Sequence, residues 1–125
     1  MSIPPNHIPS LRTVAMPADA NPNGDIFGGW LMSQMDIAGG TCAYEETRGR
    51  VVTVAVDAMS FHKPVRIGDQ VSCYCTVKNV GNTSITIAVE SWVRRRIDGD
   101  DEKVTEALFT FVAIDENGRP RPIPK

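Results

Sequence analysis

Three features of the 125-residue chain predict an α+β fold, an antiparallel five-stranded sheet wrapped around one long central helix. Only one segment, Phe27 to Thr47, carries a long stripe of apolar residues at helical spacing. Everything after Gly49 alternates in polarity or is rich in β-branched residues, with turn signals between the runs. A short β candidate precedes the helix and brings the strand count to five.

Met1 to Ser10 holds three prolines and is expected to be a loose N-terminal arm. Leu11 to Met16 is the short strand candidate. Pro17 to Asp25 reads as a loop, punctuated by Pro17, Pro22 and Gly24. The helix then spans roughly 30 Å at ~1.5 Å per residue. Gly49 is expected to end it as a left-handed C′ glycine. Val51 to Phe61 is β-branched and strand-like, and Pro64 to Asp69 turns the chain. Val71 to Val80 places Val71, Cys73, Cys75 and Val77 on one face. Gly81-Asn82 signals a hairpin. Ser84 to Arg96 alternates again, with Ile85, Ile87, Val89 and Val93 on one side. Ile97 to Glu102 is a charged hairpin loop, and Lys103 to Ile114 is the last strand. The chain is expected to form one domain over 1–125. One helix and five strands leave sheet edges open, and edge-to-edge pairing of two copies is the expected remedy.

The composition excludes several classes of function. At 42% hydrophobic and 22% charged the chain is globular, and its net charge of −2 exerts no general pull toward nucleic acid or a membrane. No apolar run approaches the ~20 residues of a membrane span. Met1 to Arg12 has no apolar signal core, so a cytoplasmic location is expected. Three cysteines and two histidines are too few and too scattered for a metal site, and the cysteines read as small reduced core or interface residues. No Walker motif follows Gly28-Gly29. No Ser-His-Asp set is credible with His7 in the arm and His62 in a turn.

The helix has two unlike faces. Leu31, Met35, Ala38 and Cys42 form an ordinary apolar stripe for the sheet. Gly29, Ser33, Asp36 and Gly40 form a face of small residues around one acid. Gly39 and Gly40 each cost about 1 kcal/mol relative to Ala in a helix interior. A local rule broken in this way points to a close approach by another helix or by a ligand. In the run Asn21 to Asp36 (NPNGDIFGGWLMSQMD), a loop amide, the free N–H groups of a helix start and a semi-buried carboxylate come together. Such parts can bind a polarised carbonyl oxygen and activate water beside it.

These motifs resemble the bacterial acyl-CoA thioester hydrolases of the hot-dog fold, in the YciA-like branch. The resemblance rests on DANPNGDIFGGWLMSQMD, VVTVAVDAMSFHKPVRIGDQV and VTEALFTFVAIDENGRPRPIP, and covers nearly all of Ser10 to Pro124. It implies hydrolysis of short- to medium-chain acyl-CoA to fatty acid and coenzyme A. It implies no separate cofactor, coenzyme A being part of the substrate and a product. It also implies homo-oligomers built from dimers, commonly trimers of dimers, with active sites at the subunit interface. Asn21 then comes from one subunit and Asp36 from its partner, and the thioester carbonyl lies against the N–H groups of Gly28 and Gly29. Where some relatives have a His, this chain has Phe27.

The residues themselves permit this chemistry. Asp36 can deprotonate water or attack the carbonyl to form an anhydride, and Asn21 can orient water or a carbonyl. The segments implied to hold coenzyme A are Phe61, His62, Lys63, Pro64 and Arg66, together with Asn82, Thr83 and Ser84. Lys63 and Arg66 offer positive charge, and the turn offers hydroxyls and amides. Arg94, Arg95 and Arg96 read as a solvated charge run. Two other readings remain: a hot-dog dehydratase, which needs a His that the Gly-Gly segment lacks, and a non-catalytic acyl-CoA-binding module, which would not need Asp36.

Overall fold

The computed structural model describes residues 4–95 and 99–125. Residues 1–3 of the expected arm lie outside the described residues. So do residues 96–98, where the expected end of a strand, the third arginine of the charge run and the start of the charged loop fall.

Five strands form one antiparallel sheet: β1 (Leu11–Val14), β2 (Val51–Phe61), β3 (Gln70–Val80), β4 (Ser84–Arg94) and β5 (Glu102–Ala113), in the spatial order β1-β3-β4-β5-β2. The helix α1 (Gly28–Thr47) lies across one face and packs on all five strands. Alternation decides which side chains meet it. On β4, Ile85, Ile87 and Val89 are buried and interleave with half-exposed residues, as period-2 side chains must. Phe109 and Phe111 do the same on β5 and stack at 6.2 Å between ring centres. Against them α1 sets Leu31, Met35 and Ala38, with Cys42 at the margin of the core. The expected apolar stripe of the helix is therefore its sheet-facing side. Each such Leu, Ile or Phe contributes about 1.5–3 kcal/mol on burial.

The two helix glycines have different roles. A Cβ on Gly39 would stand 3.0 Å from Phe111 Cζ and 3.4 Å from Val89 Cγ2, so Gly39 lies under the sheet and lets the Phe111 ring reach the helix backbone. A Cβ on Gly40 would meet only Phe111, at 3.8 Å, an ordinary contact.

The helix starts one residue later than expected and ends at Thr47 as expected, while the left-handed residue after it falls one position earlier. Phe27 is the N-cap in extended conformation (φ −60°, ψ 137°) and the helix starts at Gly28. The left-handed residue that ends it is Arg48, with φ 58°, not Gly49. Gly49 is required for a different reason: a Cβ there would lie 2.6 Å from Arg121 Nη2. That guanidinium donates to Thr47 O at 3.1 Å and to Ile114 O at 3.0 Å, so the C-terminal tail satisfies a carbonyl the helix leaves unpaired.

Cysteine placement follows the strand alternation. Cys73 is fully buried beside Ser91 Oγ, and burial pushes its thiol up to about 11 against that hydrogen bond. The thiols of Cys42 on α1 and Cys75 on β3 are neighbours, and their interaction raises the Cys42 thiol and lowers that of Cys75. All three cysteines are free thiols. Ser10 N donates to Cys73 O and the His7 ring sits edge-on to Tyr74, so this part of the arm follows β3.

At the other side of the sheet, β2 is an edge. Its ladder with β5 slips between Thr53 and Ala55 and again between Asp57 and Ser60. Val52 and Val54 stand exposed on it, and Met32, Ile37 and Tyr44 are exposed on the neighbouring face of α1.

Candidate active site

Asp36 is half-buried at the open β2 side of the fold. Its Oδ1 accepts a hydrogen bond of 2.6 Å from Thr53 Oγ1. Register explains why Thr53 is there. It stands opposite Phe111, and directly paired residues share a face, so Thr53 points to the helix side. The bulge that follows then turns the strand. Together Asp36 and Thr53 line a cavity of about 300 Å³ with Gly29, Met32, Ser33, Val56 and Phe109. Gly29, Ser33 and Asp36 are successive rungs of one helix face, as the sequence spacing implies.

The helix start supplies donors. Phe27 offers no side-chain cap. The N–H groups of Gly28 and Gly29 find no acceptor among the described residues, and both residues are exposed. A Cβ on Gly29 would meet no atom within 4 Å, so nothing inside the protomer demands a glycine there. The open space adjoins the Asp36 cavity and leaves the positive end of the helix dipole accessible to an oxyanion.

Asn21 closes the preceding loop. Its Oδ1 accepts from Asn23 N (2.9 Å) and Asp25 N (3.1 Å), and its backbone exchanges hydrogen bonds with Asp25 and Gly24. Gly24 takes the positive φ (87°) that the turn needs. With the amide oxygen committed inward, the Asn21 Nδ2 is the group left to donate outward. Asn21 lines neither cavity near the helix start in its own protomer.

A second cavity of about 310 Å³ joins Phe27 and Gly28 to Phe61, His62, Lys63 and Pro64. Arg66 is exposed nearby and bridges to Asp25. Lys63 Nζ lies 3.4 Å from Glu102. The His62 ring is engaged elsewhere: its Nε2 is 3.1 Å from Glu106, a residue alternating with the buried ones of β5 and so on the outer face of the sheet. Lys103, then His62, hold the Glu106 carboxyl below the usual range. His62 thus lines the cavity beside Gly28 while its Nε2 is held by Glu106.

Asn82, Thr83 and Ser84 are not part of this grouping. Their turn binds Ala113 and Ile123 through Thr83 O and Asn82 O, near the C-terminal end of α1. The eleven residues of β3 separate it from the 61–66 segment, about 35 Å at ~3.3 Å per residue. One protomer does not bring the two expected coenzyme-binding segments together.

Thr53 is the site residue that sequence reasoning missed. A threonine in a β-branched strand carries no mark of its own, and only the pairing with Phe111 reveals its direction. Among the described residues, no group of three or more His, Cys, Asp or Glu is placed to hold a metal ion. No helix there is long and apolar enough to cross a membrane.

Comparison with known proteins identifies the family of the chain. The family model described as thioesterase superfamily matches residues 23–97. The chain is 56% identical over 117 residues to the acyl-CoA thioester hydrolase YciA of Salmonella typhimurium, covering 91% of this chain and 88% of that protein. Among solved structures it is similar to a hexameric thioesterase from Yersinia pestis, with TM-score 0.91 and 56% identity over 97% of this chain and 98% of that one. A hexameric hot-dog fold thioesterase of Campylobacter jejuni matches with TM-score 0.88 and 47% identity, over 94% and 91% of the two chains. The chain is a hot-dog fold protein of the thioesterase superfamily, and within it belongs to the YciA-like acyl-CoA thioester hydrolases.

Proposed function

We propose that this chain hydrolyses short- to medium-chain acyl-CoA to a free fatty acid and coenzyme A. The observation that carries the reading is the Asp36 carboxylate, steered by Thr53 into a cavity that opens beside an uncapped helix start. The carbonyl oxygen of the thioester rests on the N–H groups of Gly28 and Gly29, where negative charge develops in the transition state. Asp36 acts on the carbonyl carbon, either through a water or directly. Asn21 donates its Nδ2 hydrogens to the carbonyl or the water. Phe61, Lys63 and Arg66 receive the coenzyme. No further cofactor is required, and the reaction takes place in the cytoplasm.

The working unit is a homo-oligomer, with the dimer as its block and a trimer of dimers as the full assembly. Three observations support it. The edge strand β2 has an unpaired side, and Val54 at 54% and Ile37 at 55% exposure flank Asp36 with apolar surface. Asn21 does not reach the Asp36 cavity of its own protomer. A second copy laid along β2 covers that surface, and brings the Asn82–Ser84 turn of one chain toward the 61–66 segment of another.

A panel of acyl-CoAs from two to sixteen carbons tests the activity through release of free thiol. Turnover concentrated on the shorter chains is expected. No release from any thioester, with coenzyme A still bound, would leave an acyl-CoA-binding module instead. Thr53→Val keeps the shape and removes the donor to Asp36. A hydrogen bond to a charged group is worth roughly 1.5–3 kcal/mol, so kcat should fall at least about tenfold while KM changes little. An unchanged kcat would remove Thr53 from the machinery.

A further inference from the structure

We infer that Arg95 is a positioning residue for the coenzyme-binding segment, fixing the height of Lys63–Arg66 over the helix start. The inference rests on the reading above that this segment receives coenzyme A. Arg95 follows the last residue of β4 and touches neither cavity by the helix start. Its guanidinium nevertheless reaches both ends of the 64–69 turn. Nη2 donates to Pro64 O at 2.6 Å. Nε lies 3.4 Å from Asp69 Oδ2. Nη1 donates to Glu102 Oε2 at 3.0 Å, and Glu102 in turn lies 3.4 Å from Lys63 Nζ.

Asp69 makes this more than a surface ion pair. It is 3% exposed, and the same Oδ2 accepts from Arg66 N at 2.8 Å while Asp69 N donates to Arg66 O at 3.0 Å. A buried carboxylate needs a cation and donors; here the turn's own Arg66 N–H donates, and Arg95 supplies the cation, its buried Nε paired with Asp69 by charge without a hydrogen bond. On its other side the turn is held by Ile26 N, which donates to Val65 O at 2.8 Å, and by the bridge between Asp25 and Arg66. The segment is therefore suspended between the helix-start loop and one guanidinium. A planar fork with five donors can hold Pro64, Asp69 and Glu102 together; an ammonium cannot.

The experiment compares butyryl-CoA with S-butyryl-pantetheine, which has the same reacting end and lacks the nucleotide. The variants are Arg95→Lys, Arg95→Met paired with Asp69→Asn so that no buried charge is left alone, and Lys63→Met as the direct contact. Both Arg95 variants should raise KM for butyryl-CoA about tenfold, the loss of one well-placed charged contact, with kcat within about twofold. On the truncated thioester, kcat/KM should stay close to wild type. Arg95→Lys, which keeps a cation by Asp69, gives this result even where the double variant folds poorly. An unchanged KM in the Arg95 variants beside a raised KM in Lys63→Met would overturn the inference alone. Unchanged KM in all three would overturn the binding segment and the inference with it. Equal losses on both substrates would show a general structural role and reject positioning.

Discussion

Asp36→Ala is expected to lower kcat for acyl-CoA hydrolysis by about 10³-fold, in the middle of the 10²–10⁴ attributed to a positioned base. Among the described residues the carboxylate is the only acid lining the cavity that it shares with Gly29, and its Oδ1 is fixed by Thr53. One oxygen is thus committed to orientation and the other is free to act. Removing it leaves the N–H groups of Gly28 and Gly29 intact, so carbonyl polarisation survives and some rate over solution remains. Coenzyme A binding should persist, because Phe61, Lys63 and Arg66 lie in the separate cavity or its rim. Asp36→Asn sharpens the test. It keeps the shape and the Thr53 contact, and loses the charge that either route requires. Thiol release with a colour reagent, beside calorimetry of coenzyme A binding, gives both readouts. Wild-type rates in either variant would take Asp36 out of the mechanism. A single turnover in ¹⁸O water tests the direct route: label in the Asp36 carboxylate requires an anhydride opened by water at the Asp36 carbonyl, since water attacking the thioester labels only the released acid.

The sequence made Asp36 visible because its surroundings break a local rule. Glycines beside an acid inside a long helix have no turn to justify them, and one of the flanking positions, Gly29, opens onto free space. Strand order of burial was equally legible on β4 and β5, where both the period and the residue types agree. What could not be read depends on register and on contacts distant in the chain. Thr53 faces Asp36 only because it pairs with Phe111 across the sheet. Gly39 and Gly40 look alike in sequence, yet only the first lies against the Phe111 ring. A glycine's conformational freedom points to Gly49 as the helix stop, whereas Arg48 takes the positive φ and Gly49 makes room for Arg121, more than seventy residues on. The arginine run read as solvated, but Arg95 is tied to a buried aspartate twenty-six residues earlier. Sequence patterns report local period; none of these partners is local.

Phe109→Ala is expected to carry the largest stability loss and to damage turnover as well. The ring is fully buried, and it stacks near-parallel on Phe111 at an interplanar angle of 15°. Truncating a buried Phe costs about 3–5 kcal/mol, lost transfer energy plus the cavity left behind. Set against a typical total of about 5–15 kcal/mol, that is a large share, and for a chain of this size it corresponds to a fall in Tm of roughly 10–20 °C. Phe109 also forms the apolar lining of the cavity that holds Asp36, together with Met32 and Val56. Its loss joins a new void to that cavity and loosens the wall against which Asp36 and the acyl group are positioned. Phe111→Ala provides the comparison. Phe111 is just as buried, but its ring lies against Gly39 and does not line the Asp36 cavity. The two variants should lose similar Tm by calorimetry. Assayed well below both transitions, Phe109→Ala should lose at least about tenfold more in kcat/KM than Phe111→Ala, which is 1.4 kcal/mol of transition-state stabilisation. Equal kinetic losses would show that the wall acts only through stability, and that the shape of the cavity around Asp36 is set by the helix and Thr53 alone.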